Sequence, residues 1–387
     1  MSKYFNMQIK FYLASLLFTG ITYNMHAQDT TKAKLEFKAS GKVWGYVFGD
    51  YYYKLHADSM NRGTGEYSNM KENANAFAIR RAYLGYDYNI SEKFSAEFLL
   101  SHENSYDVQS NRAVFIKAAN VKWKNILPKN DLVIGQSATP TWSFVSEKMW
   151  GYRSVEKTVT DIHKAGSSND LGIALQGKID SAGNFGYNLM VGNGTGSKIE
   201  NDVFKKMYAE VYAKFLDKKL VVDLYTDYER IQLQLFHKSK MTSKIFLGYQ
   251  TEKITVGLEA FQQVQQNYAM YTDTTVMKGD TTDVSLFGTA VFLKGVIIKD
   301  KLTFFVRADL YDPDSNFNKD YVYAGSYSGY NTEMFSVAGF DYTPMKNIHI
   351  IPNVWYRSYQ SRAKGASGLA KTDYDLVPRI TVHYVFK

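Results

Sequence analysis

The 387-residue sequence contains no cysteine, only 6 prolines and only 7 histidines. Without cysteine there is no disulfide and no thiolate zinc or iron–sulfur site. No segment reaches 18 consecutive apolar residues, so none reads as a transmembrane helix. The stretch FYLASLLFTGI (Phe11 to Ile21) follows Lys3 and Lys10 and precedes MHAQ, the pattern of an export signal cleaved after Ala27. The formal net charge of +8 loses Lys3 and Lys10 with that signal, leaving an excess too mild to point to a nucleic-acid partner.

What the chain has in quantity is aromatic residues: 31 Tyr, 24 Phe and 5 Trp. From about Lys42 onward, segments of 8 to 15 residues alternate in polarity, the period of a two-faced strand. In KLTFFVRADLY, Leu302, Phe304, Val306, Ala308 and Leu310 oppose Thr303, Phe305, Arg307 and Asp309. The chain ends on ITVHYVFK, where Ile380, Val382, Tyr384 and Phe386 share one face. SLFGTAVFLKGVII is apolar on both phases and cannot be oriented.

The connections alternate in length. Short polar turns fall at 89–93, 125–131, 180–184, 216–219, 251–253, 299–301 and 343–347. Longer connections fall at 55–74, 105–111, 138–167, 193–202, 230–242, 268–283, 313–330 and 360–372. Seven short turns and eight long loops predict an all-β transmembrane antiparallel barrel of about 16 strands, with both ends on the short-turn side. The last strand closes on KVWGYVFGDYYYK (42–54), and its aromatic ending resembles the terminal strand typical of outer-membrane barrels. The expected division is a signal peptide at 1–27, a short periplasmic segment at 28–41, and the barrel at 42–387. That N-terminal segment leaves no room for the plug domain of an energy-coupled receptor.

A barrel of this size leaves an aqueous lumen. Its inward phases carry both signs of charge: Glu97, Asp223, Glu259, Arg307, Asp309, Arg357 and Arg379, with Ser101, Asn188, Glu210, Lys214, Asp227 and Asn353. The third loop, ATPTWSFVSEKMWGYRSVEKTVTDIHKAGS, is out of scale with its neighbours, and loops this long are uncommon unless functional. It is expected to fold into the lumen on Trp142, Phe144, Met149, Trp150 and Tyr152. SFVSEKMW reads as a short helix that Ser143 could cap. Lys148, Arg153, Lys157 and Lys164 would supply positive potential, partly offset by Glu147, Glu156 and Asp161.

FAIRRAYLGYDYNI, EKFSAEFLL, LVIGQSATPTWSF, WGYRSVEKT, SSNDLGIALQGKI and YNLMVGNGTG together resemble the phosphate-selective porin O and P family and its relatives among Bacteroidota outer-membrane porins. The resemblance covers about residues 75–196. It implies a sixteen-stranded barrel, usually trimeric, with an infolded third loop and passive transport of small anions. Arg81 matches a basic wall position of that family, and Arg153 a basic residue in or after the constricting loop. Selective members line the lumen with an arginine ladder and carry a lysine cluster at the mouth, whereas the inward phases of this chain mix Arg307, Arg357 and Arg379 with Glu97, Asp223 and Glu259. Mild anion preference is therefore the expectation.

Other classes find less support. A secreted β-sandwich, or a barrel acting as an adhesin or structural protein, would share the strand pattern. A barrel hydrolase needs His beside an acid or Ser at the outer rim. His102 with Glu103 and His163 near Asp161 are the candidates, and neither pattern assembles a triad. GNGTG (192–196) lacks the Lys-Ser/Thr and helix of a phosphate loop. The Asp-rich stretches at 273–283 and 311–320 read as turns rather than metal sites. No cofactor, metal or catalytic residue is expected. The expected partners are small hydrophilic solutes or anions and outer-membrane lipid.

Overall fold

The computed structural model describes residues 37–63, 65–104, 112–232, 237–270, 281–318, 323, 327, 329–362 and 372–387. The expected signal peptide and most of segment 28–41 lie outside them. Eight strands form the first half: β1 (Ser40–Tyr53), β2 (Asn75–Asn89), β3 (Phe94–Glu103), β4 (Val114–Leu127), β5 (Asn130–Ala138), β6 (Asn169–Lys178), β7 (Phe185–Gly192) and β8 (Lys206–Phe215). The second half is β9 (Leu220–Gln232), β10 (His237–Gln250), β11 (Ile254–Met270), β12 (Thr281–Ile298), β13 (Leu302–Asp312), β14 (Asn331–Met345), β15 (Ile348–Ser361) and β16 (Asp373–Phe386). Each strand pairs with its sequence neighbours, and β1 pairs antiparallel with β16 to close the barrel, Gly45 opposite Phe386 and Tyr52 opposite Arg379.

Short turns and long connections alternate around the rim as the sequence pattern predicts, although strands run further than expected at 125–131, 268–283 and 343–347, and one expected long connection is much shorter. The connection expected at 230–242 shrinks to 233–236, outside the described residues, because β9 runs on to Gln232 and β10 starts at His237. The alternation in YERIQ (228–232) and HKSKM (237–241) lets both strands continue past the expected boundary.

The outward phase is an apolar belt of exposed side chains, among them Leu84, Ile134, Leu189, Leu224, Val291, Val306 and Val382. Tyr86, Trp123, Phe215, Tyr342 and Tyr384 border it at the short-turn end, and Tyr51, Phe77, Tyr228 and Phe287 border it at the other. In water such a surface would far exceed the apolar patch a soluble monomer leaves exposed. Beside acyl chains it is matched, and girdle aromatics place their apolar bodies and polar tips at the boundary.

Loop 3 (139–168) fills part of the interior, carrying two one-turn helices, α1 (Ser146–Trp150) and α2 (Val159–Ile162). Helix α1 ends on Gly151 at φ +71°, a left-handed conformation glycine adopts without steric cost, and its N–H returns to Glu147 O at 2.8 Å. The expected cap does not form. Val145 occupies the N-cap position, and Ser143 Oγ instead donates to Ser168 O at 3.4 Å.

The inner wall beneath this loop is apolar rather than wet. Trp150, Tyr152 and Val155 join Phe246, Phe292, Phe305, Phe335, Ile351, Trp355 and Val377 in one buried cluster. This explains β12: Phe292 faces the loop while Val291 faces outward, so both phases are apolar. Each such side chain contributes about 1.5–3 kcal/mol by burial.

Candidate pore constriction

Residues 154–157 are the hub that fixes loop 3 to the wall. Arg80 on β2 donates to Ser154 O, Arg379 on β16 to Val155 O, and Arg307 on β13 to Lys157 O. Between them Trp355 Nε1 donates to Glu156 Oε2 at 2.8 Å. The arginines are themselves held. Arg307 forks onto Asp309 with Nε–Oδ1 at 2.8 Å and Nη2–Oδ2 at 2.5 Å, and Arg379 Nε donates to Asn353 at 2.5 Å. Further along, Thr160 Oγ1 donates to Glu259 Oε1 at 2.6 Å, while Gln263 Nε2 donates to Ala165 O at 2.7 Å.

Trp150 is buried, its ring 5.1 Å from Phe292 and its Nε1 2.8 Å from Glu156 O. Tyr152 packs 4.5 Å from Phe305 and donates to Asp341 at 3.3 Å. Both therefore act as anchors facing the wall. Arg307 and Arg379, expected as charges along an open wall, lie inside the barrel as anchors too. Arg357 is fully buried, 3.2 Å from Glu333 and 4.9 Å above the Trp355 ring.

The charged edge of the loop faces the β1–β4 wall across a cavity of about 840 Å³ whose lining includes Tyr83, Glu97, Lys117, Glu147, Lys148 and Arg153. On the loop side Arg153 bridges Glu147 at 2.9 Å and Asp161 at 2.7 Å. Burial opposes charge on Arg153, but Glu147 and Asp161 outweigh it and hold the guanidinium protonated. On the wall side Glu103 receives Arg81 at 2.9 Å, Lys117 at 2.6 Å and the Tyr83 hydroxyl at 2.7 Å. Glu97 accepts from Asn120 at 2.9 Å. Arg81, Lys117 and Arg153 are thus paired with Glu103, Glu147 and Asp161, while Glu97 and Lys148 add one further charge of each sign to the lining. Lys148 is exposed on α1, its Nζ 5.5 Å over the Phe144 ring, and Lys157 is half-buried beside the hub.

Several participants escape the sequence pattern. Arg80 lies next to Arg81, yet both face inward, because a β-bulge offsets the register so that Phe48 opposes Arg81 and Gly49 opposes Ile79. Loop 1 also folds inward. Lys54 pairs with Asp375 at 2.6 Å, Glu66 with Arg80 at 2.7 Å, and the Tyr67 hydroxyl donates to Asp50 at 2.5 Å. Its aromatics and paired charges resemble those of any outer loop, so composition carries no signal of this.

GNGTG does make a nest of amides, and the protein's own Asp170 fills it, accepting from Gly194 N at 2.7 Å and Gly196 N at 3.2 Å. In the Asp-rich outer loop, Asp312 pairs with Arg362 at 2.7 Å, and Asp314 accepts from Ser285 N at 3.0 Å and Asn316 N at 3.1 Å. The part of the other stretch at 273–280 lies outside the described residues. His163 stacks on Tyr311 at 3.4 Å between ring centroids, and Asp161 belongs to Arg153.

No family model matches the chain, and no curated protein matches it. Solved structures of the same architecture do. The outer membrane channel DcaP of Acinetobacter baumannii superposes with a TM-score of 0.64 at 14% identity, covering 93% of this chain and 100% of that one. An anion-selective porin from Comamonas acidovorans gives 0.59 at 10% identity over 90% of this chain and all of that one. Salmonella typhi OmpF, solved with daunomycin, gives 0.57 at 11% identity over 89% of this chain and 97% of that one. At these identities the likeness is one of fold: a closed sixteen-strand antiparallel barrel with a porin's layout.

Proposed function

We propose that the chain is an outer-membrane porin through which small hydrophilic solutes diffuse passively, with a weak preference for anions. The observation that carries this reading is the pairing of an apolar outer belt with a charged interior narrowed by an anchored loop. A belt of that kind is stable only among acyl chains, and a hydrated interior has a use only if something crosses it. The balanced constriction favours a transverse field over strong charge selection, so Lys148, Arg153, Lys157 and Arg81 tune passage, with Glu147 opposing them. Phosphate would pass as one small anion among others, and no catalytic step is assigned to the chain. Export by residues 1–27 and assembly as a homotrimer complete the proposal. The neighbours include a Vibrio cholerae OmpT solved in a trimer form, which supports the last point by analogy.

Liposome swelling tests diffusion directly. Vesicles carrying the folded barrel should swell in small sugars at rates that fall with solute size. Swelling no faster than that of empty vesicles would refute the proposal.

A further inference from the structure

At the short-turn end, between β4–β10 and loop 3, lies a second cavity of about 810 Å³. Six lysines line it: Lys124, Lys129, Lys148, Lys178, Lys214 and Lys218. They face only two acids, Asp131 and Asp180. Higher in the lumen, cations are matched to carboxylates, as in Lys244–Asp223 at 2.8 Å, Lys206–Asp227 at 3.1 Å and Arg307–Asp309 at 2.5 Å. Among the described residues, none of the six lysines forms an ion pair.

Their ammonium groups meet neutral partners instead. Lys124 donates to Asn89 at 2.9 Å, Lys129 to Ser181 at 2.9 Å and Lys218 to Ala182 O at 2.8 Å. Lys214 sits 5.4 Å over the Tyr212 ring. The two acids are engaged by turn amides, Asp131 by Asn125 N and Asp180 by Phe185 N, both at 2.9 Å. Two carboxylates against six ammonium groups leave an excess of four positive charges in the lining. The remaining lining includes Phe144, Val145, Met149, Tyr212 and Val221, an apolar floor under a cationic rim.

We propose that this cavity binds organic anions that carry an apolar body, such as aryl phosphates and aryl carboxylates. A bare inorganic anion satisfies the lysines and leaves the floor wet; a neutral aromatic covers the floor and leaves the lysines without a counter-charge. Only a ligand with both parts uses the whole lining, and the volume falls in the range of about 300–1,000 Å³ usual for small-ligand sites. Binding stands on the cavity alone, while any role in transport rests on the porin reading.

Isothermal titration of the folded barrel in detergent, with phenyl phosphate, inorganic phosphate and phenol as probes, tests the site. Phenyl phosphate should bind about tenfold or more tightly than either fragment. Substituting Lys124, Lys178 and Lys218 together by Gln should weaken it about tenfold, since three attractive charges are removed from a rim that solvent partly screens. Phe144→Ala should weaken phenyl phosphate while leaving phosphate unchanged, and Lys301→Gln, on a turn outside the cavity, should change neither. Equal affinity for phenyl phosphate and phosphate, or no loss in a triple variant that keeps the wild-type circular dichroism, would overturn the proposal. In planar bilayers phenyl phosphate should block current from the short-turn side. Binding without conductance steps would leave the site standing and remove the porin reading. Steps without binding would do the reverse.

Discussion

Arg153 shows how single residues set the field in this interior. It reaches Glu147 and Asp161 at once, so its charge is answered on the spot. Glu147→Gln removes one acid and leaves the loop cluster less compensated. The anion-to-cation permeability ratio should then rise about two- to fivefold, the effect of roughly 0.5–1 kcal/mol at a site close to water. An unchanged ratio would mean that ions do not pass this cluster. Glu66 behaves differently. Burial would raise its pKa, but Arg80, Lys157 and Arg81 together bring it down to about 2. Because the folded value lies below the ordinary carboxylate value near 4.3, the tie it gives loop 1 is complete above that pH and lost as pH falls towards 2. Open-channel current should stay quiet from pH 8 to 5 and grow noisy below about pH 3.5. In Glu66→Gln the noise should be present at every pH.

Elements differ in how far the sequence alone reveals them. The strands were legible because one face meets polar lumen and the other an apolar belt: Leu302 to Leu310 alternate as the pattern predicts, with Val306 and Leu310 exposed and Phe305, Arg307 and Asp309 buried. β12 resisted orientation for a physical reason, since loop 3 covers its inner face and makes both phases apolar. Loop 3 itself could be picked out by length and aromatic content. Its anchors could not, because Arg80, Arg307 and Arg379 donate to main-chain carbonyls, which carry no sequence signature. Loop 1 is legible as a long connection at 55–74, but its inward folding is not. Truncating Trp150 to Ala removes the central aromatic under loop 3 and should cost about 3–5 kcal/mol in urea unfolding of the refolded barrel. Single-channel conductance should rise in the same variant as the loop loosens. Lost stability with unchanged conductance would show that the loop does not limit flow.

At the scale of the whole molecule, charge is distributed by function rather than evenly. The interior beneath and beside loop 3 matches cations to acids, whereas at the short-turn mouth six lysines line a cavity with two acids and, among the described residues, form no ion pair. Low-dielectric walls extend such an excess along the path, so the proposed function predicts that anions are enriched at the mouth before they reach the constriction. Under the proposed function, this arrangement predicts weak selection rather than the strong selection of an arginine ladder. The preference should accordingly fade as salt rises from 0.1 M to 1 M, where the screening length shrinks from about 10 Å to about 3 Å.

The most direct test is the current through single copies of the purified, refolded protein in a planar bilayer with a potassium chloride gradient across it. The account predicts discrete, stable conductance steps and a reversal potential displaced modestly towards that of chloride. A correctly folded barrel that gives no steps would contradict it.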